Sequence, residues 1–142
     1  MTPPQAPRIT LVALTHDART ALGGPEAEIT TFPYRVGRES RGMRWVDSAL
    51  HRERRDPGSH PSNELYLPDR EEPLNVSREH LQIERNGAGF LLVDRHSTCG
   101  TIVEGAMVGG DTRGGSAPLQ DGNVIIVGGP RSPFVFKVRV RD

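Results

Sequence analysis

The sequence is poor in cysteine, in lysine and in aromatic residues. Cys99 is the only cysteine, Lys137 is the only lysine, and aromatic residues make up 5% of the 142 residues. A single cysteine excludes an internal disulfide and gives no sign of an oxidising compartment. Basic and acidic residues number 18 each, so no net charge attracts nucleic acid or an anionic membrane.

Long apolar runs are missing as well. No stretch approaches the ~20 apolar residues that a membrane-spanning helix needs, and residues 1–5 lack the basic and apolar regions of a signal peptide. The five histidines show no paired metal-ligand spacing. We therefore expect a soluble, cytoplasmic protein that has no metal and no cofactor and binds neither nucleic acid nor membrane.

Glycine and proline are abundant, with 16 and 12 residues. Such frequent turn residues favour many short strands over long helices. The length suits one domain, and we predict a flexible tail over residues 1–7 followed by a single domain over 8–142. The predicted strands are 9–14, 28–36, 65–67, 80–85, 90–93, 101–103, 107–108, 124–127 and 134–140. Residues 17–21 are predicted to form a turn, and 109–118 a glycine-rich loop.

Residues 39–62 differ in character from the rest of the chain. They mix arginines with acidic residues and end near Pro57-Gly58 and Pro61. A loop of this length is either functional or disordered. We predict a long inserted loop whose apolar residues, Trp45-Val46 and Ala49-Leu50, add at most one helical turn. Its role stays open at this point.

Three short motifs occur in a fixed order along the chain, each beside a predicted strand. They are Gly37-Arg38, Ser77-Arg78-Glu79-His80 and Ser97-Thr98-Cys99-Gly100-Thr101. Together they resemble the signature of the forkhead-associated (FHA) family, whose members bind phosphothreonine peptides. The resemblance covers roughly residues 30–140 and implies an all-β, two-sheet sandwich of about 11 mostly antiparallel strands.

The resemblance also implies a site. A phosphothreonine carries nearly two negative charges and three acceptor oxygens, so holding it takes a guanidinium and several neutral donors. The positions that correspond to phosphopeptide contacts are Arg38, Ser77, Arg78, Thr98 and Cys99. The positions that correspond to structural support of the site are Gly37, His80, Gly100 and Thr101. The expected partner is a phosphothreonine-containing protein, either a Ser/Thr kinase or a substrate of one.

One residue departs from the family pattern. The family has asparagine at the position of Cys99, where the amide holds the peptide backbone, and a thiol is only a weak donor and acceptor. An alternative function is therefore a scaffold that binds its partner without phosphate through a degenerate site. A third is an enzyme that uses Cys99, with His96 nearby, or a triad of Ser77, His80 and Asp94. We expect the non-catalytic phosphopeptide module.

Overall fold

Eleven strands and one short helix make up the secondary structure that the computed structural model describes, over residues 6–39 and 63–141. The first elements are β1 Arg8–Ala13, α1 His16–Leu22, β2 Glu26–Ile29, β3 Tyr34–Arg38, β4 Leu65–Leu67 and β5 Leu81–Asn86. They are followed by β6 Gly89–Asp94, β7 Thr101–Val103, β8 Ala106–Val108, β9 Gly115–Leu119, β10 Val124–Val127 and β11 Val135–Arg141.

The strands form two sheets. One has six strands in the order β2-β1-β11-β10-β7-β8, and the other has five in the order β4-β3-β5-β6-β9. The β3–β4 pair is parallel, whereas the other pairs are antiparallel. This confirms the predicted all-β, two-sheet architecture with mostly antiparallel strands.

The core lies between the sheets and follows the alternation of side chains along each strand. In the six-stranded sheet, Leu11 and Phe136 turn inward. In the five-stranded sheet, Ile83 and Leu92 do the same. Each such side chain contributes about 1.5–3 kcal/mol through burial, so the two sheets hold each other in place and fix the strand ends that carry the loops.

Two predicted elements were wrong near the beginning of the chain. The extended segment predicted over 28–36 is two strands in different sheets, because the chain passes from β2, beside β1, to β3, beside β5. The turn predicted over 17–21 is part of helix α1. The Thr15 hydroxyl oxygen accepts from the Ala18 N–H at 3.2 Å, and Gly23 ends the helix at φ 78°, so both helix ends are capped.

The glycine-rich loop predicted over 109–118 was wrong in its second half. Strand β9 begins at Gly115 and pairs with β6, with Pro118 opposite Leu91. β9 is an edge strand, and an edge position tolerates a proline that cannot donate to a neighbour.

The predictions for the two ends of the chain and for the insertion fall partly outside the described residues. Of the predicted tail 1–7, residues 1–5 lie outside them, and the Pro7 carbonyl accepts from the Arg85 side chain at 3.1 Å. Of the predicted insertion 39–62, including its helical turn, all but Glu39 lies outside them. The single domain over 8–142 stays a prediction. No described helix has the length and apolar character needed to cross a membrane.

Loops from both sheets meet at one end of the sandwich. The Arg38 N–H donates to the Ser77 carbonyl at 2.9 Å, and the Arg95 N–H donates to the His80 carbonyl at 2.8 Å. From the other sheet, the Gly128 N–H reaches the Gly100 carbonyl at 3.0 Å. This end of the fold therefore brings together the three motifs of the sequence.

Candidate functional site

Arg38 stands at the C-terminal end of β3 and is half-buried. Its backbone N–H donates to Ser77, and its Nη1 donates to the Val76 carbonyl at 3.1 Å. A guanidinium has five N–H donors, and no other acceptor in the described part of the chain takes one of them. Within the described residues the side chain is therefore held by one hydrogen bond, and its other N–H groups meet no acceptor there.

Ser77 joins two of the loops. Its hydroxyl oxygen accepts from the Thr98 backbone N–H at 3.1 Å, which leaves the hydroxyl proton to donate elsewhere. No acceptor among the described residues takes that proton. Arg38, Ser77 and Thr98 thus form one continuous set of contacts.

Arg78 and Cys99 flank this set. The Arg78 side chain is exposed and has no hydrogen-bond or ion-pair partner within residues 6–39 and 63–141. Its carbonyl accepts from the Asn63 amide at 2.8 Å, which fixes the backbone beneath it. Cys99 is half-buried, and its thiol lies 3.5 Å from the Leu74 carbonyl. The thiol is thus turned toward the loop that precedes Ser77.

His80 supports the site from below and is 0% exposed. The Ser77 backbone N–H donates to His80 Nδ1 at 3.0 Å, so Nδ1 is an acceptor and the ring proton sits on Nε2. Nε2 then donates to the Gly100 carbonyl at 2.7 Å. Burial lowers the pKa of His80, although Gly100 and nearby Asp94 act in the opposite direction. A neutral ring therefore ties the Ser77 loop to the Gly100 loop.

Asp94 organises the loop between β6 and β7. Its carboxylate accepts from the Ser97 N–H at 2.9 Å, from the Ser97 hydroxyl at 2.6 Å and from the Thr101 hydroxyl at 3.0 Å. The Ser97 hydroxyl oxygen in turn accepts from the Gly100 N–H at 2.9 Å. The sequence suggested Asp94 as a catalytic acid, and its role in organising this loop was not predicted. An Asp followed by Ser three residues later is typical of a side-chain-capped turn.

A second aspartate was missed altogether. Asp69 is buried, and its carboxylate accepts from the backbone N–H groups of Asn75 and Val76 at 2.5 and 2.9 Å. It therefore holds the segment that leads into Ser77. No signal in the sequence singled it out, because its partners lie six and seven residues away in an irregular loop.

Close approach explains the two motif glycines. A Cβ on Gly37 would lie 1.9 Å from the Arg78 carbonyl oxygen and 2.6 Å from the Asn63 amide nitrogen. Gly100 has φ 80°, and a Cβ there would lie 2.5 Å from the Met107 sulfur. The absence of a side chain at these positions lets the neighbouring loops approach the strand ends.

The loop between β8 and β9 closes one side of the site. The Asp111 N–H donates to the Thr98 carbonyl at 2.9 Å, and the Thr112 N–H donates to the Ser97 carbonyl at 3.0 Å. Both donors have positive φ, 52° and 60°, which costs conformational energy in a residue with a side chain. The Thr112 carbonyl lies 3.0 Å from His96 Nδ1. His96 is thereby engaged with this loop.

The proposed triad lacks the required geometry. A serine hydrolase needs its histidine bonded to the serine hydroxyl. Here His80 Nδ1 bonds the Ser77 backbone N–H, and the Ser77 hydroxyl bonds Thr98. Within the described residues, no group of three or more His, Cys, Asp or Glu side chains could hold a metal ion.

A family model described as FHA domain matches residues 55–128. The match includes Ser77, His80 and Thr98 but begins after Gly37 and Arg38, so the placement of these two beside Ser77 is an independent observation. No curated protein matches the sequence significantly.

Several solved structures are similar in fold. One, from an analysis of phosphothreonine-dependent FHA domain interactions, has 24% identity and a TM-score of 0.57, covering 95% of this chain and 98% of the other. The kinase-interacting FHA domain of an Arabidopsis kinase-associated protein phosphatase has 19% identity and a TM-score of 0.62, with 98% of each chain covered. EmbR of Mycobacterium tuberculosis, in complex with a low-affinity phosphopeptide, has 17% identity and a TM-score of 0.58, over 93% of this chain and 24% of the other.

Proposed function

Because the chain belongs to the FHA domain family, we propose that it is a non-catalytic module that binds phosphothreonine in a protein partner. The observation that carries this proposal is the contact set at the strand ends. The Arg38 N–H donates to the Ser77 carbonyl, and the Ser77 hydroxyl oxygen accepts from the Thr98 N–H. Both side chains keep donors that no acceptor within residues 6–39 and 63–141 takes.

The chemistry of these donors suits a phosphate group. A guanidinium supplies charge and directed N–H groups, and a hydroxyl supplies a neutral donor beside it. Arg78, exposed and without a partner among the described residues, adds a second positive charge for the phosphate or the peptide backbone. His80 holds Ser77 from within the protein, so it positions the hydroxyl and does not touch the ligand in this proposal.

The partner is a protein phosphorylated by a Ser/Thr kinase, or the kinase itself, acting in the cytoplasm. Support for this class of partner comes from the similar folds, one studied for phosphothreonine-dependent interactions and one solved with a phosphopeptide. Selectivity for threonine over serine requires a contact with the γ-methyl group. A matched pair of phosphothreonine and phosphoserine peptides measures that selectivity directly.

The test is a titration of phosphothreonine peptide libraries by fluorescence anisotropy, with unphosphorylated libraries alongside. Arg38→Ala is expected to weaken binding by about 1.5–3 kcal/mol, the value of a hydrogen bond to a charged group, which corresponds to about 10–150-fold in Kd. The matched control is Arg139→Ala, because Arg139 pairs with Glu26 at 3.4 Å on the outer face of the six-stranded sheet. Equal binding of phosphorylated and unphosphorylated libraries would refute the proposal.

The second candidate, a scaffold that binds without phosphate, rests on Cys99. The thiol contacts the Leu74 carbonyl at 3.5 Å and offers a ligand little hydrogen-bonding capacity. This function predicts a partner whose binding survives both phosphatase treatment and Arg38→Ala. The two candidates therefore give opposite results in the same titration.

A further inference from the structure

The outer face of the six-stranded sheet carries an apolar row that crosses five neighbouring strands. Strand pairing places Met107 beside Ile102, Ile102 beside Ile126, and Ile126 beside Val135. The Leu14 N–H donates to the Val135 carbonyl at 3.0 Å, which extends the row to the end of β1. The solvent-facing side of an antiparallel sheet usually carries polar residues, whereas the residues of this row are apolar.

The row is accessible. Leu14 and Met107 are 49% and 52% exposed, and they are the large hydrophobic side chains that stand exposed within the described residues. The three aliphatic residues between them are half-buried, because cross-strand neighbours cover one another. The two ends of the row are thus its most exposed points.

Charged residues border the row on one side. In the next line of outward positions, Lys137 lies between Val124 and Val12. One step further, Arg139 pairs with Glu26. The row itself contains no charged residue, so it suits a ligand with apolar side chains.

One end of the row begins at the rim of the phosphothreonine site. The Met107 sulfur packs against Gly100 so closely that a Cβ on Gly100 would lie 2.5 Å from it. Gly100 follows Thr98 and Cys99 in the same short loop. The phosphate donors and the start of the row at Met107 are separated by two loop residues and one side chain, a distance of ~10–15 Å. An extended peptide crosses this distance in about 3–5 residues.

The size of the row argues against a second folded molecule. Five strands ~4.8 Å apart give a row about 19 Å long and on the order of 300 Å² in area. A stable interface buries about 800 Å² on each partner. Strand twist of about 20° per strand also points the five side chains in gradually different directions. An extended peptide segment can follow such a twisted row better than a flat protein surface can. A short segment held nearby by another contact fits these constraints.

We infer that the apolar row binds an aliphatic segment of the same phosphoprotein, beginning about 3–5 residues from the phosphothreonine. The inference rests on the proposed function, because the phosphothreonine site supplies the contact that holds the segment near the row. Each site then raises the local concentration of the peptide at the other.

The test uses peptides with phosphothreonine, a Gly-Ser spacer of about four residues and a Val-Ile-Leu segment, placed on either side of the phosphothreonine. Control peptides carry Ser-Gln-Ser in place of the aliphatic residues. We expect the aliphatic segment, in one direction, to tighten Kd about tenfold or more. The double variant Leu14→Gln, Met107→Gln should bring the ratio of the Kd values for the control and aliphatic peptides to about one. Any effect of Met107→Gln on the neighbouring Gly100 loop changes both Kd values and cancels in this ratio.

Four results would overturn the inference. An aliphatic segment that adds nothing in either direction, or a gain that survives the double variant, removes the row as the binding surface while the proposed function stands. A dimer in sedimentation experiments that the double variant dissociates would make the row a contact between two copies of this chain. If no phosphopeptide binds at all, the proposed function falls and this inference falls with it.

Discussion

His80 is expected to make the protein less stable in mild acid. Its ring is fully buried and both nitrogens are engaged, Nδ1 as the acceptor of the Ser77 N–H and Nε2–H as the donor to Gly100. Protonation would put a second donor opposite the Ser77 N–H and break the link between the two loops. Asp94, whose Oδ2 lies 4.0 Å from Nε2, offsets part of this cost.

The sign and size follow from proton linkage. Burial lowers the pKa of His80 below its ordinary value of 6.5, so between the two pKa values the unfolded chain binds more protons than the folded one. The contribution of neutral His80 to the free energy of unfolding is fully present above about pH 6.5. This contribution falls as the pH drops toward the folded-state pKa, by at most about 1.4 kcal/mol per pH unit. The pKa of Glu64 is held below 4.5 chiefly by its hydrogen bond with Arg35, so its contribution to stability is lost at lower pH. The change in the free energy of unfolding that His80 causes is therefore measured between pH 5 and 7.

The assay is urea unfolding at pH 8, 7, 6 and 5, because the free energy of unfolding reports the proton difference directly. It is run on a variant in which the other histidines are glutamine: His16, His51, His60 and His96. Adding His80→Gln to that variant should lower stability at pH 8 and flatten the dependence between pH 7 and 5. A free energy that stays level or rises from pH 7 to pH 5 with His80 present would refute the reasoning.

Two further predictions concern single positions of the motifs. Gly37→Ala is expected to cost about 1–3 kcal/mol of stability or more, since its Cβ would overlap the Arg78 carbonyl. The control Gly24→Ala, with open space around it, should change stability by less than about 0.5 kcal/mol. Equal shifts of the thermal unfolding midpoint for the two variants would contradict this account. Cys99→Asn should restore one or two hydrogen bonds to the peptide and tighten phosphopeptide binding by ~1–3 kcal/mol, a gain that Cys99→Ser should not reproduce in the same titration.

Strands that face the core on one side could be predicted from the sequence. Alternation in β5 placed Leu81 and Ile83 on one face, and both are buried in the structure. The sequence Asn86-Gly87-Ala88-Gly89 predicts a hairpin turn between β5 and β6, and the register confirms it by pairing Asn86 with Gly89. In these elements the local pattern and the tertiary environment agree.

Elements set by distant contacts could not be predicted. Helix α1 is anchored by Thr15, whose hydroxyl bonds the Pro133 carbonyl at 2.5 Å, 118 residues away. Strand β9 contains glycine, serine and proline and becomes a strand because β6 offers a free edge. The same holds at the site, where the motifs indicated Arg38 and Ser77 but the contacts of Asp69 depend on a loop that only the fold brings near.

The loops that carry Arg38, Ser77 and Thr98 are expected to prefer phosphorylated over unphosphorylated threonine, because of which of their polar groups already have a hydrogen-bond partner. Seven backbone carbonyls around the site accept a hydrogen bond from within the protein: Val76, Ser77, Arg78, His80, Ser97, Thr98 and Gly100. Donors that no acceptor among the described residues takes include the hydroxyls of Ser77 and Thr98 and the remaining N–H groups of Arg38, and Arg78 is exposed as well. An arriving ligand therefore meets unused donors and positive charge at these positions. An unphosphorylated threonine, which carries one hydroxyl and no charge, cannot satisfy these donors, whereas a phosphate with three acceptor oxygens can.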